Sequence, residues 1–179
     1  MKLQGQFILL RALEPSDIDV LYKWENDTDT WKISNTQTPF SRFVLEEYIV
    51  SSHQDIYSAK QLRLMIELMP FPGVTENKRV IGSIDLFDFD ANHQRAGVGI
   101  LIAEKGDRRN GYASEALKIL VEYCFTTLNL HQVFCNITSD NESSVLLFQQ
   151  HGFQVAGIKR QWIRDGGKFK DELFLQKIR

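Results

Sequence analysis

The sequence predicts a mixed α/β (α+β) fold: one mostly antiparallel sheet of six to seven strands, dressed by about four helices. Three observations lead there. Strand-like and helix-like segments follow the order β-α-α-β-β-β-α-β-α-β-β. The run Gly97-Val98-Gly99-Ile100-Leu101-Ile102-Ala103 is apolar on both faces, so it belongs in the centre of a sheet. The clearest helix of the chain follows it, and a strand–helix–strand crossover makes the two flanking strands parallel neighbours.

The elements can be justified in order. Residues 6–13 read as a strand. Pro15 then opens a helix, with Ser16 and Asp17 in its first turn and Ile18, Leu21 and Tyr22 on one face. Residues 27–40 are polar and read as a loop with one helical turn. Ser41 can cap a second helix, in which Val44, Leu45, Tyr48 and Ile49 recur at helical spacing. Residues 61–67 are a strand, and 69–78, with Pro70, Pro72 and Gly73, read as a hairpin loop. Strands are expected at 79–89 and 94–103, joined by the turn Asp90-Ala91-Asn92-His93. In the helix at 111–128 the stripe Ala113, Ala116, Leu117, Leu120, Val121, Cys124, Phe125 and Leu128 faces a core. A strand at 133–138 and a helix at 141–151 follow, the helix stopped by Gly152. A closing hairpin turns at Asp165-Gly166-Gly167. No linker or repeat divides the chain, so residues 1–179 read as a single domain.

Bulk properties exclude several classes. The net charge of −2 lacks the basic excess of a nucleic-acid surface. No apolar stretch approaches the roughly 20 residues that span a bilayer, and the first residues lack the pattern of a signal peptide. No membrane partner is expected, and the cytoplasm is the default location. Cys124 and Cys135 have neither CxxC spacing nor an adjacent His pair, so no metal site is expected.

The most informative segment is Arg108-Arg109-Asn110-Gly111-Tyr112-Ala113, between the buried strand and the best helix. Gly111 allows a tight turn or a close approach to a ligand. The unpaired N–H groups and the positive end of the helix dipole suit a phosphate. The segment is neither a Gly-Lys-Ser/Thr loop nor GxGxxG. A plain turn glycine flanked by solvated arginines is the competing reading.

In context the chain resembles the GNAT superfamily of N-acetyltransferases. Arg108-x-x-Gly111-x-Ala113 follows the apolar strand and precedes a long helix. Further on, the stretch from Asn141 to Phe153 looks like the family's N-x-x-[SA]-x-x-[LV]-[YF]-x-x-x-G-F block. LLRALEPSDIDVLYKW, IGSIDLFDFDANHQRAGVGILIA and WIRDGGKFKDELFL resemble the branch that acetylates ribosomal-protein N-termini and spermidine.

The resemblance implies a GNAT fold whose central parallel strands splay apart, with acetyl-CoA as cosubstrate in the gap. It implies that the backbones of Ile100, Leu101 and Ile102 pair with the pantetheine arm, one N–H reaching the thioester oxygen. It assigns Arg108, Arg109, Asn110, Gly111, Tyr112, Ala113 and Ser114 to the pyrophosphate loop. Asn141 would contact pantetheine, cap the next helix, or do both. Phe148 stands where polyamine-acetylating relatives carry the Tyr that protonates the departing thiolate. Ser144, four residues earlier on the same face, matches a serine that can serve the thiol; a first-turn helix serine is its plain alternative. Asp85 and Asp88 are the candidate general bases, with Glu67 and His93 as further candidates. Gly97 and the 36–38 region lack acidic groups of the spermidine-type enzymes. The expected function is acetyl transfer to a primary amine: a small-molecule amine such as a polyamine, or a peptide N-terminus. The alternative is a catalytically weak acyl-CoA-binding sensor or scaffold. A homo-oligomer is compatible with either.

Overall fold

Apolar alternation along the strands, and two helical crossovers, arrange the chain around one seven-stranded sheet. The computed structural model describes residues 3–34, 36–70 and 79–179. The strands are β1 (Ile8–Ala12), β2 (Leu62–Leu68), β3 (Arg79–Asp90), β4 (Arg95–Ile102), β5 (Gln132–Thr138), β6 (Gln154–Asp165) and β7 (Lys168–Ile178), in the spatial order β1-β2-β3-β4-β5-β7-β6. All neighbours are antiparallel except β4 and β5. The expected turn at 69–78 lies, from residue 71 onward, outside the described residues.

Among the described residues there are six α-helices rather than about four: α1 (Ile18–Glu25), α2 (Thr28–Ser34), α3 (Arg42–Ser51), α4 (Ile56–Ala59), α5 (Tyr112–Thr126) and α6 (Glu142–Gln150). Pro15 opens a 3-10 turn, not α1 itself. The two additional helices are α2 and α4. α2 replaces the single turn expected at 27–40, where apolar periodicity is absent. α4 is one turn long, too short for a periodic signal; the Asp55 carboxylate caps it by accepting from the N–H groups of Tyr57 (2.8 Å) and Ser58 (3.0 Å).

The two sheet faces carry separate cores. On one, Leu64, Ile66, Ile84, Leu86 and Val98 meet Ala116, Leu117, Leu120 and Cys124 of α5. On the other, Met65 meets Leu13, Leu21 and Trp24 near α1, and Leu45 and Ile49 of α3. Trp24, not Tyr22, completes the buried face of α1. Tyr22 is exposed and lies 5.3 Å beneath the Arg42 guanidinium. The caps foreseen at Ser41 and the turn at Gly166-Gly167 are present.

β4 and β5 pair over three rungs only: Arg95↔Gln132, Ala96↔Val133 and Gly97↔Phe134. The last rung is clasped by aromatic rings. Phe87 of β3, opposite Gly97, crosses β4 to meet Phe134 edge-on at 5.8 Å, and Phe134 packs on Phe174 of β7 at 5.5 Å. Only a glycine allows this crossing, because a Cβ at position 97 would lie 2.2 Å from the Phe87 ring. Gly97→Val should therefore displace Phe87 and lower the unfolding free energy by about 1–3 kcal/mol, the usual range for overpacking. Urea unfolding checks this; a change below about 0.5 kcal/mol would mean that the ring moves aside freely.

Candidate functional site

Beyond Gly97 and Phe134, β4 continues beside β3 alone and β5 continues beside β7 alone. Between them opens a cavity of about 480 Å³. Val98, Gly99, Ile100 and Leu101 form one wall; Cys135, Asn136, Ile137 and Thr138 form the other. Asn141, Ser144 and Phe148 enter from α6. Glu25, Arg63, Asp85 and Glu172 enter from the strands and from the end of α1. Two larger hollows of about 710 Å³ lie elsewhere, one between α3 and the start of β2, the other around Asp88 and Gln132. Neither touches the unpaired part of β4.

Ile100 and Leu101 line the cavity, while Ile102 sits just past it and packs partly against the core. Among the described residues, the strand's backbone groups on the β5 side have no strand partner from residue 98 onward.

The loop after β4 is held by its own side chains. Buried Asp107 accepts both guanidinium nitrogens of Arg79, at 2.6 and 2.7 Å. Arg108, which the resemblance assigns to the pyrophosphate loop, turns its guanidinium back and donates to the carbonyls of Ile102 and Ala103, both at 3.0 Å. Those carbonyls lie at the end of β4, and Arg108 supplies donors to both. Asn110 likewise donates to the Gly106 carbonyl. Arg109 and Gly111 both adopt left-handed backbone, at φ 65° and 83°. Gly111 is the N-cap of α5, and among the described residues no side chain caps that end. Its carbonyl accepts from Glu115 N–H, which leaves the N–H groups of Tyr112, Ala113 and Ser114 ahead of the first helical bond. A Cβ at Gly111 would meet nothing within 4 Å, so the space over this turn is open.

Two contacts brace the helix start. The Glu115 carboxylate accepts from the backbone N–H groups of Gln6, Phe7 and Ile8. The Ser114 hydroxyl lies 2.8 Å from Nε2 of His151 at the end of α6. Burial, then Lys177 and Lys118, lowers the pKa of that imidazole.

On α6, Asn141 is the N-cap. Its side-chain oxygen accepts from Ser144 N–H at 3.3 Å, and the residue also borders the cavity. Ser144 and Phe148 reach the cavity one turn apart. The Phe148 ring is buried and stands edge-on to Phe153 at 4.9 Å.

The two aspartates expected as bases part company. Asp85 faces the cavity, but both its oxygens accept from Arg63, at 2.8 and 3.0 Å. Arg63 also holds Glu25 at 2.5 Å and lies over the Tyr48 ring. Burial opposes the guanidinium charge, but Asp85, Tyr48 and Glu25 outweigh it and raise the pKa. Asp88 is not in the cavity. An irregularity between Phe87 and Asp90 breaks the alternation of β3, and Asp88 lies exposed (φ 49°) at the paired end of β4 and β5, away from the opening. Of the further candidates, Glu67 is bound to Arg11 and His93 to Asp90.

Arg63, Glu25 and Glu172 were not foreseen. A charged residue inside the apolar run Leu62-Arg63-Leu64-Met65 was the available signal for the first. Among the described residues no cluster of three His, Cys, Asp or Glu is placed to hold a metal ion. Burial pushes both cysteine thiols up to about 12, so Cys135 is a poor nucleophile despite bordering the cavity. No helix of the described residues is long and apolar enough to cross a membrane.

Residues 8–154 match the family model described as an acetyltransferase (GNAT) domain. The chain is 28% identical over 172 residues to an uncharacterized N-acetyltransferase, p20, of Bacillus licheniformis, covering 92% of this chain and 88% of that protein. It is 24% identical over 164 residues to a spermidine N(1)-acetyltransferase of Vibrio cholerae, again covering 92% and 88%. A crystal structure of spermidine N-acetyltransferase from Vibrio cholerae with CoA and spermine superposes with a TM-score of 0.83, at 23% identity over 96% of this chain and 95% of that one.

The Arg79 bridge lowers the pKa of Asp107 in the fold. The bridge therefore stabilises the fold above the ordinary carboxylate pKa of about 4, and that contribution is lost as the pH falls through the depressed value. Asp107→Asn should lower Tm at pH 7, and its gap from the wild type should narrow steadily below pH ~4. A gap that stays constant in calorimetric scans down the acid limb would show that the ion pair does not stabilise the loop.

Proposed function

The chain belongs to the GNAT family of acetyltransferases, and we propose that it carries the acetyl group of acetyl-CoA to the primary amine of a small cationic acceptor. The observation that carries this reading is the split between β4 and β5. An extended amide chain such as pantetheine can add to the free edge of residues 98–101, as a peptide adds to an exposed strand. An N–H on that edge can donate to the thioester oxygen as negative charge develops there. The uncapped start of α5 suits the pyrophosphate, because its free N–H groups and helix dipole favour an anion. Arg108 supports that site indirectly, by fixing the loop to the end of β4.

The acceptor enters from the face that carries Glu25, Asp85 and Glu172. Three carboxylates against the Arg63 guanidinium and the Lys159 ammonium leave a net negative charge, which favours a cation. We place the reaction in one domain spanning the chain, in the cytoplasm. A polyamine fits this charge, as in the spermidine-acetylating relatives. A peptide N-terminus, also cationic, is the second acceptor class. One solved neighbour is a dodecamer. The exposed Val155, Ile158 and Trp162 on edge strand β6 suit self-association here too.

Phe148 carries no proton, so the thiolate must be served otherwise. A thiol pKa near 8.5 makes thiolate a tolerable leaving group. The Ser144 hydroxyl borders the same cavity and is the donor that α6 offers there. A sensor that binds acyl-CoA without turnover is the second reading, and Phe148 is the observation that favours it.

Thiol release with acetyl-CoA and a panel of amines tests the function: turnover of alkylamines is expected, and binding without turnover of any amine would install the sensor. Gly111→Val should weaken acetyl-CoA binding at least tenfold by calorimetry with the fold retained, since it strains a left-handed turn and fills the open space above it. Unchanged affinity would place the pyrophosphate elsewhere. Ser144→Ala should lower kcat more than acetyl-CoA affinity, and Phe148→Tyr should hold or raise kcat. If both variants match the wild type, solvent protonates the thiolate.

A further inference from the structure

Three carboxylates border the acceptor side of the cleft, and their partners differ. Asp85 spends both oxygens on Arg63. Glu25 holds the same guanidinium. Such a charge-assisted fork is a stable, planar bond that an incoming ammonium must break to gain either carboxylate. Glu172 is different. Its side chain is only 9% exposed, yet it borders the cavity from β7, opposite Thr138 at the wide end of the split. One oxygen, Oε2, accepts from Lys159 Nζ at 2.7 Å; among the described residues the other has no partner.

Lys159 supplies the counter-charge without which so buried a carboxylate would be costly. Its own position is fixed from three sides. It pairs across the β6–β7 ladder with Glu172, donates to the Asn136 side-chain oxygen at 2.9 Å, and lies 5.5 Å from the centre of the Trp162 ring. The contact to Asn136 ties this pair to β5, one wall of the cleft.

Building on the acetyltransferase reading, we propose that Glu172 is the catalytic residue that meets the acceptor's ammonium and takes its proton, and that Lys159 positions it. Glu172 Oε1 accepts one proton from R–NH3+, which leaves R–NH2. The nitrogen lone pair forms the C–N bond to the acetyl carbon, and the C–S bond breaks with its electron pair going to sulfur. The second nitrogen proton passes to the thiolate through Ser144 or water, and Glu172 returns its own proton to solvent. Asp85 and Glu25 then serve to hold Arg63 and the cleft's negative field.

The test compares Glu172→Gln with the wild type on 1,4-diaminobutane, a dication at neutral pH, and on 4-methylaniline, already uncharged there. The expected result is a fall in kcat/KM of at least about 100-fold for the diamine. The arylamine should change less than about threefold, and acetyl-CoA affinity by calorimetry should be unaltered. Formate should restore part of the diamine activity to Glu172→Ala, which a misfolded variant would not show. Equal losses on both amines, or a loss without rescue, would make Glu172 structural; no loss on either would exclude it. In both cases an active wild type leaves the acetyltransferase reading standing. A wild type that acetylates neither amine overturns this inference for small amines, and one that turns over no amine of the wider panel removes the acetyltransferase reading as well.

Discussion

The site depends on one constraint: β4 and β5 are hydrogen-bonded for three rungs and then must part. Each strand is committed elsewhere. β5 is paired with β7 from Gln132 to Thr138, and β4 with β3 through Ile102. Beyond the aromatic clasp of Phe87, Phe134 and Phe174, the space between them is bordered by Val98, Cys135, Ile137 and Phe148, all buried. A central strand that keeps unpaired N–H and C=O groups inside a protein is costly unless something else pairs with them. The split is therefore a ready site for an extended amide chain. It is also why the loop after β4 is so heavily braced: the start of α5 has to be held at a fixed place relative to that open edge.

Charge is distributed in keeping with this arrangement. At the start of α5 Arg79 is neutralised by Asp107 and Arg108 is spent on carbonyls, so the helix amides and Arg109 are the anion donors left there. On the acceptor side the imbalance runs the other way, with carboxylates in excess. On the proposed reading the anionic cosubstrate tail meets the start of α5 and the cationic acceptor meets the carboxylates.

Much of this was legible in the sequence, for identifiable reasons. The apolar run 97–103 marked the central strand because only a strand covered on both faces lacks polar positions. Gly111, before a helix with a clean apolar stripe, marked the open turn. The i,i+4 spacing of Ser144 and Phe148 put both on one face, and both reach the cavity. What escaped were features set by tertiary partners. Arg108 has a carbonyl pair to cap, which no local pattern reveals. Strand alternation puts Asp88 on the face opposite Asp85; that it also lies at the paired end of β4 and β5, beside the irregularity in β3, is set by the register with β4. Glu172, in Lys168-Phe169-Lys170-Asp171-Glu172, looks like one solvated charge among several; its burial follows from pairing with Lys159 and Thr138, far off in sequence.

The central claim is that the free edge of β4 is a binding surface for the cosubstrate's amide arm. Amide hydrogen exchange, residue by residue, tests it most directly. Saturating acetyl-CoA should slow exchange at those N–H groups of residues 98–102 that point away from β3, while N–H groups of the same strand already bonded to β3 change little. Protection confined to residues 111–114, with the β4 edge still exchanging as in the free protein, would contradict the account.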